Sequence, residues 1–536
     1  MSIDSTVITV AFLLLIVYYV HICIRAVMVK NPVASGEPDT LRFIFMVPCR
    51  NEEKVIGTTI RRILEIDYPL KEILVINDGS TDKTEVVVKG FADTGIVEVV
   101  NTVDSGRGKG EALNFGFRHI LNMLREEGVS NFEGIMIGIL DADGQPSENL
   151  CAAVEPYFTD EQVGALQAGV RIANADSNLI ATCQDVEFTG FSQAIQKGRD
   201  KLGSVGLGGN GQFARLSALC SLSLEHPWNQ SLTEDLDIGM RLILRGWKVR
   251  FCSGAFVAQQ GVESVPPLVI QRVRWMQGHY GCWRYIPSLL INRNLPLKTR
   301  LDNTAYLLFG ATPILVLVSM ITSLVAAAGV VSVSNRFAEL LLNANFFLFI
   351  FMFYFMSFII AIVFVTFYVR YRKMSLLRLI ILYHLFALYT LLWIPASIGA
   401  IVNLIRGKST WVKTGRTEIE DFREVRGYKR VDIDIPMEVE GGGDVVKVIV
   451  KDVAAGGAGI LVTKKYYLEN ARGLISTGNK VDVITPVTGE RVSSEVVWVA
   501  YLGRGQVRAG VQFVESTVDV KRDFGFEDPY PYQRSA

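Results

Sequence analysis

Apolar positions along this chain fall into two kinds of run, and the runs divide it. Residues 7–29 are almost continuously apolar, and so are 304–331, 344–369 and 376–404. Each exceeds the roughly 20 residues a helix needs to cross a bilayer. Between the first and second of these, residues 40–260 alternate short β-rich runs (43–47, 73–77 and 134–140) with helically spaced stretches, and each β run ends in a polar or acidic loop. That alternation predicts an open α/β sheet with its ligand site at the carboxyl ends of the strands. Past the last apolar run, alternating segments at 431–439, 445–450, 480–484, 492–499 and 507–513 are separated by turns such as Gly441-Gly442-Gly443 and Gly456-Gly457. They predict a small antiparallel β-barrel over 423–520.

The first apolar run lacks an early basic cluster and a small-residue cleavage site, so it reads as a membrane helix and not as a signal peptide. Arg25 and Lys30 place its C-terminal end in the cytoplasm. Residues 265–290 mix Arg272, Arg274 and Arg284 with Trp275, Trp283 and Tyr285, too charged to span and suited to a membrane interface. Arg370, Arg372 and Lys373 predict a cytoplasmic turn. One span before the α/β domain and three after it would leave the charged segment 407–416 outside. One run must therefore be a hairpin, a re-entrant segment or an interface helix, and 376–404, broken by Pro395, is the candidate. The predicted order is a membrane helix (1–30), the α/β domain (40–260), amphipathic interface helices (261–300), membrane helices (301–405), a loop and linker (406–422), the barrel (423–520) and a tail (521–536).

Composition narrows the partners. The 536 residues are 50% hydrophobic with a mean hydropathy of +0.29, more than one ordinary soluble domain carries. The 54 basic and 54 acidic residues cancel, which argues against a nucleic-acid polymer as partner. Seven cysteines are dispersed without a C-x-x-C pair, as in reduced cytoplasmic proteins, and five histidines leave little for a histidine metal cluster.

The polar loops hold the candidate chemistry. Val47-Pro48-Cys49-Arg50-Asn51-Glu52-Glu53 closes the first β run and Asn77-Asp78-Gly79-Ser80 the second. Asp78 can accept hydrogen bonds from a base N–H or ribose hydroxyls, although Asp-Gly-Ser is also plain turn chemistry. Gly106-Arg107-Gly108-Lys109-Gly110 resembles a phosphate loop without the Ser or Thr of a Walker A, and offers Lys109 to a diphosphate. Asp141-Ala142-Asp143 follows a fully apolar run. Residues i and i+2 of a strand share a face, so the two carboxylates can bind Mg2+ or Mn2+ together with a diphosphate. Thr233-Glu234-Asp235 starts a helix with Thr233 as N-cap, and a carboxylate there can also take a proton from a hydroxyl. Gln271-Arg272-Val273-Arg274-Trp275 offers an Arg for a diphosphate and a Trp for a sugar face. Taken alone, it equally fits an interfacial helix.

In order and spacing these motifs resemble those of processive membrane glycosyltransferases of family 2, the cellulose, hyaluronan, chitin and mixed-linkage glucan synthases. The resemblance covers residues 40–420 and includes Gly208-Gly209-Asn210-Gly211-Gln212-Phe213 and Trp411-Val412-Lys413-Thr414 followed by Arg416. It implies a cytosolic GT-A-type domain with an open mixed sheet, inserted between membrane helices that form a polymer channel. It implies that Glu52, Asp78, Lys109, Asp141 and Arg274 hold a UDP-sugar, that Asp141 and Asp143 hold Mg2+ or Mn2+, and that Asp235 is the catalytic base. Gln271, Trp275 and Glu234 would receive the acceptor, and Trp411, Lys413, Thr414 and Arg416 would belong to a gating loop. The C-terminal region resembles a PilZ domain, which implies cyclic di-GMP as an activator bound by Arg426, Arg430, Asp452 and Gly457. Here Ala454 stands where that pattern has Ser, at a cost of about 0.5–1.5 kcal/mol for one hydrogen bond. The Q-R-x-R-W form favours UDP-glucose and a β-glucan, cellulose or mixed β-1,3/1,4-linked. A hyaluronan-, chitin- or poly-N-acetylglucosamine-type synthase, or a non-processive lipid-linked sugar transferase, is the alternative. The implied location is the plasma (inner) membrane, multi-pass, with catalytic and PilZ-like domains in the cytoplasm, and the partners are the donor, the growing polysaccharide and the bilayer.

Overall fold

The computed structural model describes residues 17–29, 40–314, 344–408 and, with short breaks, 431–514, apart from a few single positions. The α/β region opens with β1 (Arg42–Cys49), α1 (Ile56–Leu64), β2 (Lys71–Asn77), α2 (Thr84–Lys89), β3 (Val97–Asn101), α3 (Lys109–Glu126) and β4 (Ile135–Ile139). It continues with β5 (Gln145–Pro146), α4 (Leu150–Val154), β6 (Val163–Ile172), α5 (Leu179–Gly190), β7 (Gln212–Arg215), α6 (Leu216–Leu222), α7 (Glu234–Leu244) and β8 (Lys248–Gln259). These strands make one eight-stranded sheet in the order β3-β2-β1-β4-β7-β6-β8-β5. The β3-β2-β1-β4 half is parallel, and β7 runs antiparallel to both neighbours, so the sheet is open and mixed as expected.

Strand alternation builds two cores, one on each face. Phe43, Phe45 and Val47 of β1 pack with Ile56, Ile60 and Ile63 of α1. Ile44 and Met46 point the other way and pack with Leu113, Phe117 and Leu124 of α3. The chain leaves β1 for β2 and β3 on one side, then returns to β4 on the other. That reversal opens a crevice at the carboxyl ends of β1 and β4, where ligands bind in open α/β sheets.

The expected interface helices are α8 (Val265–Gly281) and α9 (Ile286–Ile291), followed by α10 (Leu297–Phe309). Pro266 and Pro267 sit in the first turn of α8, where a helix has N–H groups to spare. Then come α11 (Ala344–Tyr368), α12 (Leu376–Thr390) and α13 (Trp393–Ile405). Among the described residues, one stretch, Leu376–Ile405, is long and apolar enough to cross a membrane. Of the expected spans at 7–29 and 304–331, residues 7–16, 19 and 315–331 lie outside the described residues. The interruption in 376–404 is at Leu391 and Leu392, before Pro395. Pro395 is the third residue of α13, where no intrahelical donor is lost.

This stretch is fastened to the α/β region at its start and middle and to α8 at its end. Arg372, just before α12, pairs with Asp176 ahead of α5. Tyr389 Oη and Trp393 Nε1, on either side of the break, donate to Glu187 of α5 at 2.6 and 2.8 Å. Gln277 of α8 donates from Nε2 to Lys408 O at 2.5 Å.

The C-terminal region is a closed antiparallel barrel of β9 (Val431–Gly441), β10 (Asp444–Ala454), β11 (Gly457–Thr463), β12 (Lys480–Ile484), β13 (Arg491–Leu502) and β14 (Gln506–Phe513). Strand β11 is absent from the sequence expectation: its Gly-Ala-Gly start reads as turn.

Candidate active site

The first two strand ends are laced to each other by their loops. Asn51, at φ 55°, donates from its backbone N to Ser80 Oγ at 2.9 Å and accepts from Thr81 N at 2.7 Å. Asn is among the few side chains that tolerate this left-handed conformation. Asp78 Oδ1 accepts from Thr102 Oγ1 and from Gly106 N, each at 3.0 Å, which ties the end of β2 to the glycine loop before α3. That loop leaves Lys109 as the first residue of α3.

A cavity of about 1310 Å³ opens over these loops, and Glu52, Asp78, Lys109, Asp141, Glu234, Asp235, Gln271, Arg274 and Trp275 all line it. At its centre Lys109 Nζ lies 2.5 Å from Asp141 Oδ1 and 3.4 Å from Glu234 Oε1. Burial opposes the ammonium charge, but Asp141 and Glu234 outweigh it and hold Lys109 above the usual lysine range. Asp235 sits beside them. Burial, with the neighbouring Glu234 charge, pushes its carboxyl up from 3.8 to about 7, against the pull of Lys109.

Gly209 makes this clustering possible. Its φ is +77°, and a Cβ there would lie 2.9 Å from Asp235 Oδ2 and 3.5 Å from Lys109 Nζ. Buried Gln167 of β6 shapes the Gly208-Gly209-Asn210 turn, accepting from Gly208 N at 2.8 Å and donating to Asn210 O at 2.8 Å. Asn210 Oδ1 in turn accepts from Asp141 N at 3.2 Å.

Two sequence expectations need correction. Strand β4 ends at Ile139 and the chain turns, so strand alternation does not reach Asp141 and Asp143. Asp141 lines the cavity, whereas Asp143 does not: it is 2% exposed and accepts from Gln260 N at 2.9 Å. Thr233 precedes α7 but makes no side-chain capping bond. Instead α8 crosses it so closely that a Cβ on Gly278 would lie 2.5 Å from the Thr233 side chain.

Among the described residues, no group of three or more His, Cys, Asp and Glu is arranged to hold a metal by itself. The carboxylates gathered at the centre of the cavity nevertheless offer hard oxygen ligands to a divalent cation. Asp141, Glu234 and Asp235 converge on the single ammonium of Lys109, and burial resists the ionisation of Asp235. A small hard cation takes one or two carboxylates and completes its shell with substrate phosphate oxygens and water.

On the far wall, α8 presents Gln271, Arg274 and Trp275 to the cavity, while Arg272 of the same motif turns inward and is 1% exposed. Past Trp275 the cavity continues between apolar helices, along Phe309, Ile360, Phe364, Phe386 and Ile394. Sequence reading missed Arg50, Arg107, Glu187 and His279, which also line it. The arginines stood inside quoted motifs, while Glu187 and His279 carry no local pattern. Burial holds His279 below the usual histidine range, and its Nε2 lies 2.9 Å from Leu307 O.

Trp411, Lys413, Thr414, Arg416, Arg426 and Arg430 lie outside the described residues. Asp452 and Gly457 fall on the β10–β11 hairpin, paired in register with Gly459 and Ala454.

An open mixed sheet thus gathers acidic and basic side chains in one cavity at its strand ends, where such sheets bind ligands. Residues 38–278 match the model described as "Glycosyltransferase like family 2", and residues 424–525 match the PilZ domain. The chain therefore carries a family 2 glycosyltransferase domain followed by a PilZ domain. It is 31% identical over 290 residues to a beta-monoglucosyldiacylglycerol synthase of Synechocystis sp., covering 52% of this chain and 56% of that protein. Thus the chain spans little more than half the length of that relative. It is 25% identical over 391 residues to a poly-beta-1,6-N-acetyl-D-glucosamine synthase of Staphylococcus epidermidis, covering 70% and 88% respectively. Among solved structures, a mannosyltransferase from Pyrobaculum calidifontis in complex with GDP-Man and Mn2+ is 18% identical with a TM-score of 0.49, covering 75% of this chain and 98% of that one.

Proposed function

We propose that this protein is an inverting, UDP-sugar-dependent glycosyltransferase working at the cytoplasmic face of the plasma (inner) membrane. The observation that carries the reading is Asp235: a carboxylate raised to about 7, held beside Lys109 and Asp141 in the cavity that Trp275 also lines. A base with that affinity for a proton is poised to work near neutral pH. In this reading Glu52, Asp78, Lys109, Asp141 and Arg274 hold the donor's nucleotide and diphosphate. Trp275 offers the acceptor sugar an apolar platform, with Gln271 and Glu234 binding its hydroxyls. Asp235 takes the proton of the attacking hydroxyl. The acceptor oxygen bonds to the anomeric carbon from the side opposite the diphosphate, and the bond from that carbon to the diphosphate oxygen breaks, releasing UDP. Asp141, with Asp143 after a shift of its carboxylate, would hold Mg2+ or Mn2+. When bound, the ion offsets charge on the leaving diphosphate.

For the product, we favour a polymer made from UDP-glucose, a cellulose or mixed-linkage β-glucan passed through the membrane helices. The Q-R-x-R-W sequence and the similarity to a polysaccharide synthase support it. The apolar end of the cavity favours a second reading, a single glucose placed on a membrane lipid, since its walls suit an acyl chain. Purified full-length protein incubated with one UDP-sugar at a time separates these. High-molecular-weight product degraded by β-glucanase supports the first, a solvent-extractable glycolipid supports the second, and no turnover of any UDP-sugar refutes both. Cyclic di-GMP is the proposed activator, through Arg426, Arg430, Asp452 and Gly457. No binding heat on titrating the full chain, together with unchanged activity, refutes that control.

A further inference from the structure

Trp275 does not stand alone in the cavity wall. The guanidinium carbon of Arg272 lies 4.1 Å from its ring centroid, 5.1 Å from that of Trp393 and 5.8 Å from that of Phe188. The Phe188 ring meets Trp275 edge-on at 5.9 Å. Arg272 is almost wholly buried, so its charge requires a partner, and Glu187 is that partner. The same carboxylate accepts from Tyr389 Oη at 2.6 Å and Trp393 Nε1 at 2.8 Å, and Arg272 Nη2 also donates to Tyr389 Oη at 3.1 Å. One carboxylate thus joins α5, α8 and both sides of the α12–α13 break.

We infer that Glu187 is a positioning residue for Trp275: it fixes the Arg272 guanidinium against the indole face and so makes the setting of that ring depend on how the broken apolar helix is seated. Without Glu187, Arg272 is a buried cation with no counter-charge and must move or admit water, and either change removes the face contact that orients Trp275. Lysine cannot replace Arg272, because a point charge neither stacks on the indole nor forks between Glu187 and Tyr389.

The inference rests on the reading that Trp275 receives the acceptor sugar. Its test uses the full-length protein with UDP-glucose as donor and hexyl β-glucoside as acceptor. Glu187→Gln and Arg272→Lys should each raise KM for the glucoside by about tenfold, with kcat held within about twofold. UDP-glucose hydrolysis without acceptor should stay at the wild-type rate. Trp393→Phe removes one hydrogen bond from the far side of the break and should raise the same KM by about threefold. An unchanged KM in all three variants overturns the inference. So does a joint fall of kcat, hydrolysis and unfolding temperature, which would make Glu187 a plain structural strut. A second measurement needs no turnover. The near-ultraviolet circular dichroism of Trp275, obtained by subtracting the Trp275→Phe spectrum, should collapse in Glu187→Gln while the far-ultraviolet spectrum holds. If wild-type protein turns over no UDP-sugar, the proposed function fails and this spectrum alone decides on Glu187. An unaltered Trp275 signal then refutes the positioning role.

Discussion

Asp235→Asn should make the protein inactive and, above neutral pH, more stable. Its carboxyl titrates near 7 in the folded chain against an ordinary value of 3.8, a displacement caused first by burial and then by Glu234. At about 1.36 kcal/mol per unit, holding that carboxylate ionised costs the fold about 4 kcal/mol. The sign follows from the proton balance. The unfolded chain loses this proton near pH 4 and the folded chain near pH 7, so the penalty is absent at pH 4, grows through that interval and is complete above it. Asparagine never bears it. Thermal unfolding of the two proteins in parallel from pH 4 to pH 8 should show the variant unfolding several degrees higher at pH 8, with the gap closing as pH falls. Sugar transfer should be lost throughout, because an amide does not accept the proton. An Asn variant less stable than wild type at pH 8, or a gap that ignores pH, refutes this account of the site. Appreciable transfer by the variant refutes the base.

Gly209→Ala should reduce transfer at least about tenfold, because the backbone is left-handed and the new methyl would press on Asp235; a fully active variant would contradict the packing. Asp143→Asn should weaken Mn2+-dependent binding of UDP-glucose, read by calorimetry with and without chelator, and unchanged binding would remove Asp143 from the metal set. Asp302→Ala should destabilise the fold by about 3–5 kcal/mol, since it strips the counter-charge from fully buried Arg199. A chemical-denaturation midpoint matching wild type would show that Arg199 finds another partner.

Much of the site was legible because its residues stand where strands end, and strand ends announce themselves by a switch from apolar to polar residues. Asp78 and Asp141 could be placed in one crevice from that switch and the α/β alternation, whereas Lys109 was read from its glycine-rich loop, with no strand foreseen before it. Asp143 could not, because reading it with Asp141 assumed that β4 continued past Ile139, and the chain turns there. The Thr233 cap failed for a tertiary reason: α8 lies against that side chain and takes the space a cap would need. Glu187 was invisible, as a single acid in an ordinary helix whose partners are 85 to 206 positions away in sequence. Strand β11 was missed because glycines that permit close pairing in a small barrel look like turn glycines when read singly. The break in the apolar stretch was assigned to Pro395, yet a proline in the first turn of a helix begins it without bending it.

Hydropathy marks apolar stretches, but contacts show what each is fastened to. Helix α12 has 15 residues, about 22 Å at 1.5 Å per residue, less than a hydrocarbon core of about 30 Å. The turn before it and its last residues both reach the α/β region, and the residue just past α13 is held by α8. A stretch held at both ends by contacts with the rest of the protein is seated along the cavity and not free to slide past it. The 30 residues from Leu376 to Ile405 then act as a floor beneath the cavity.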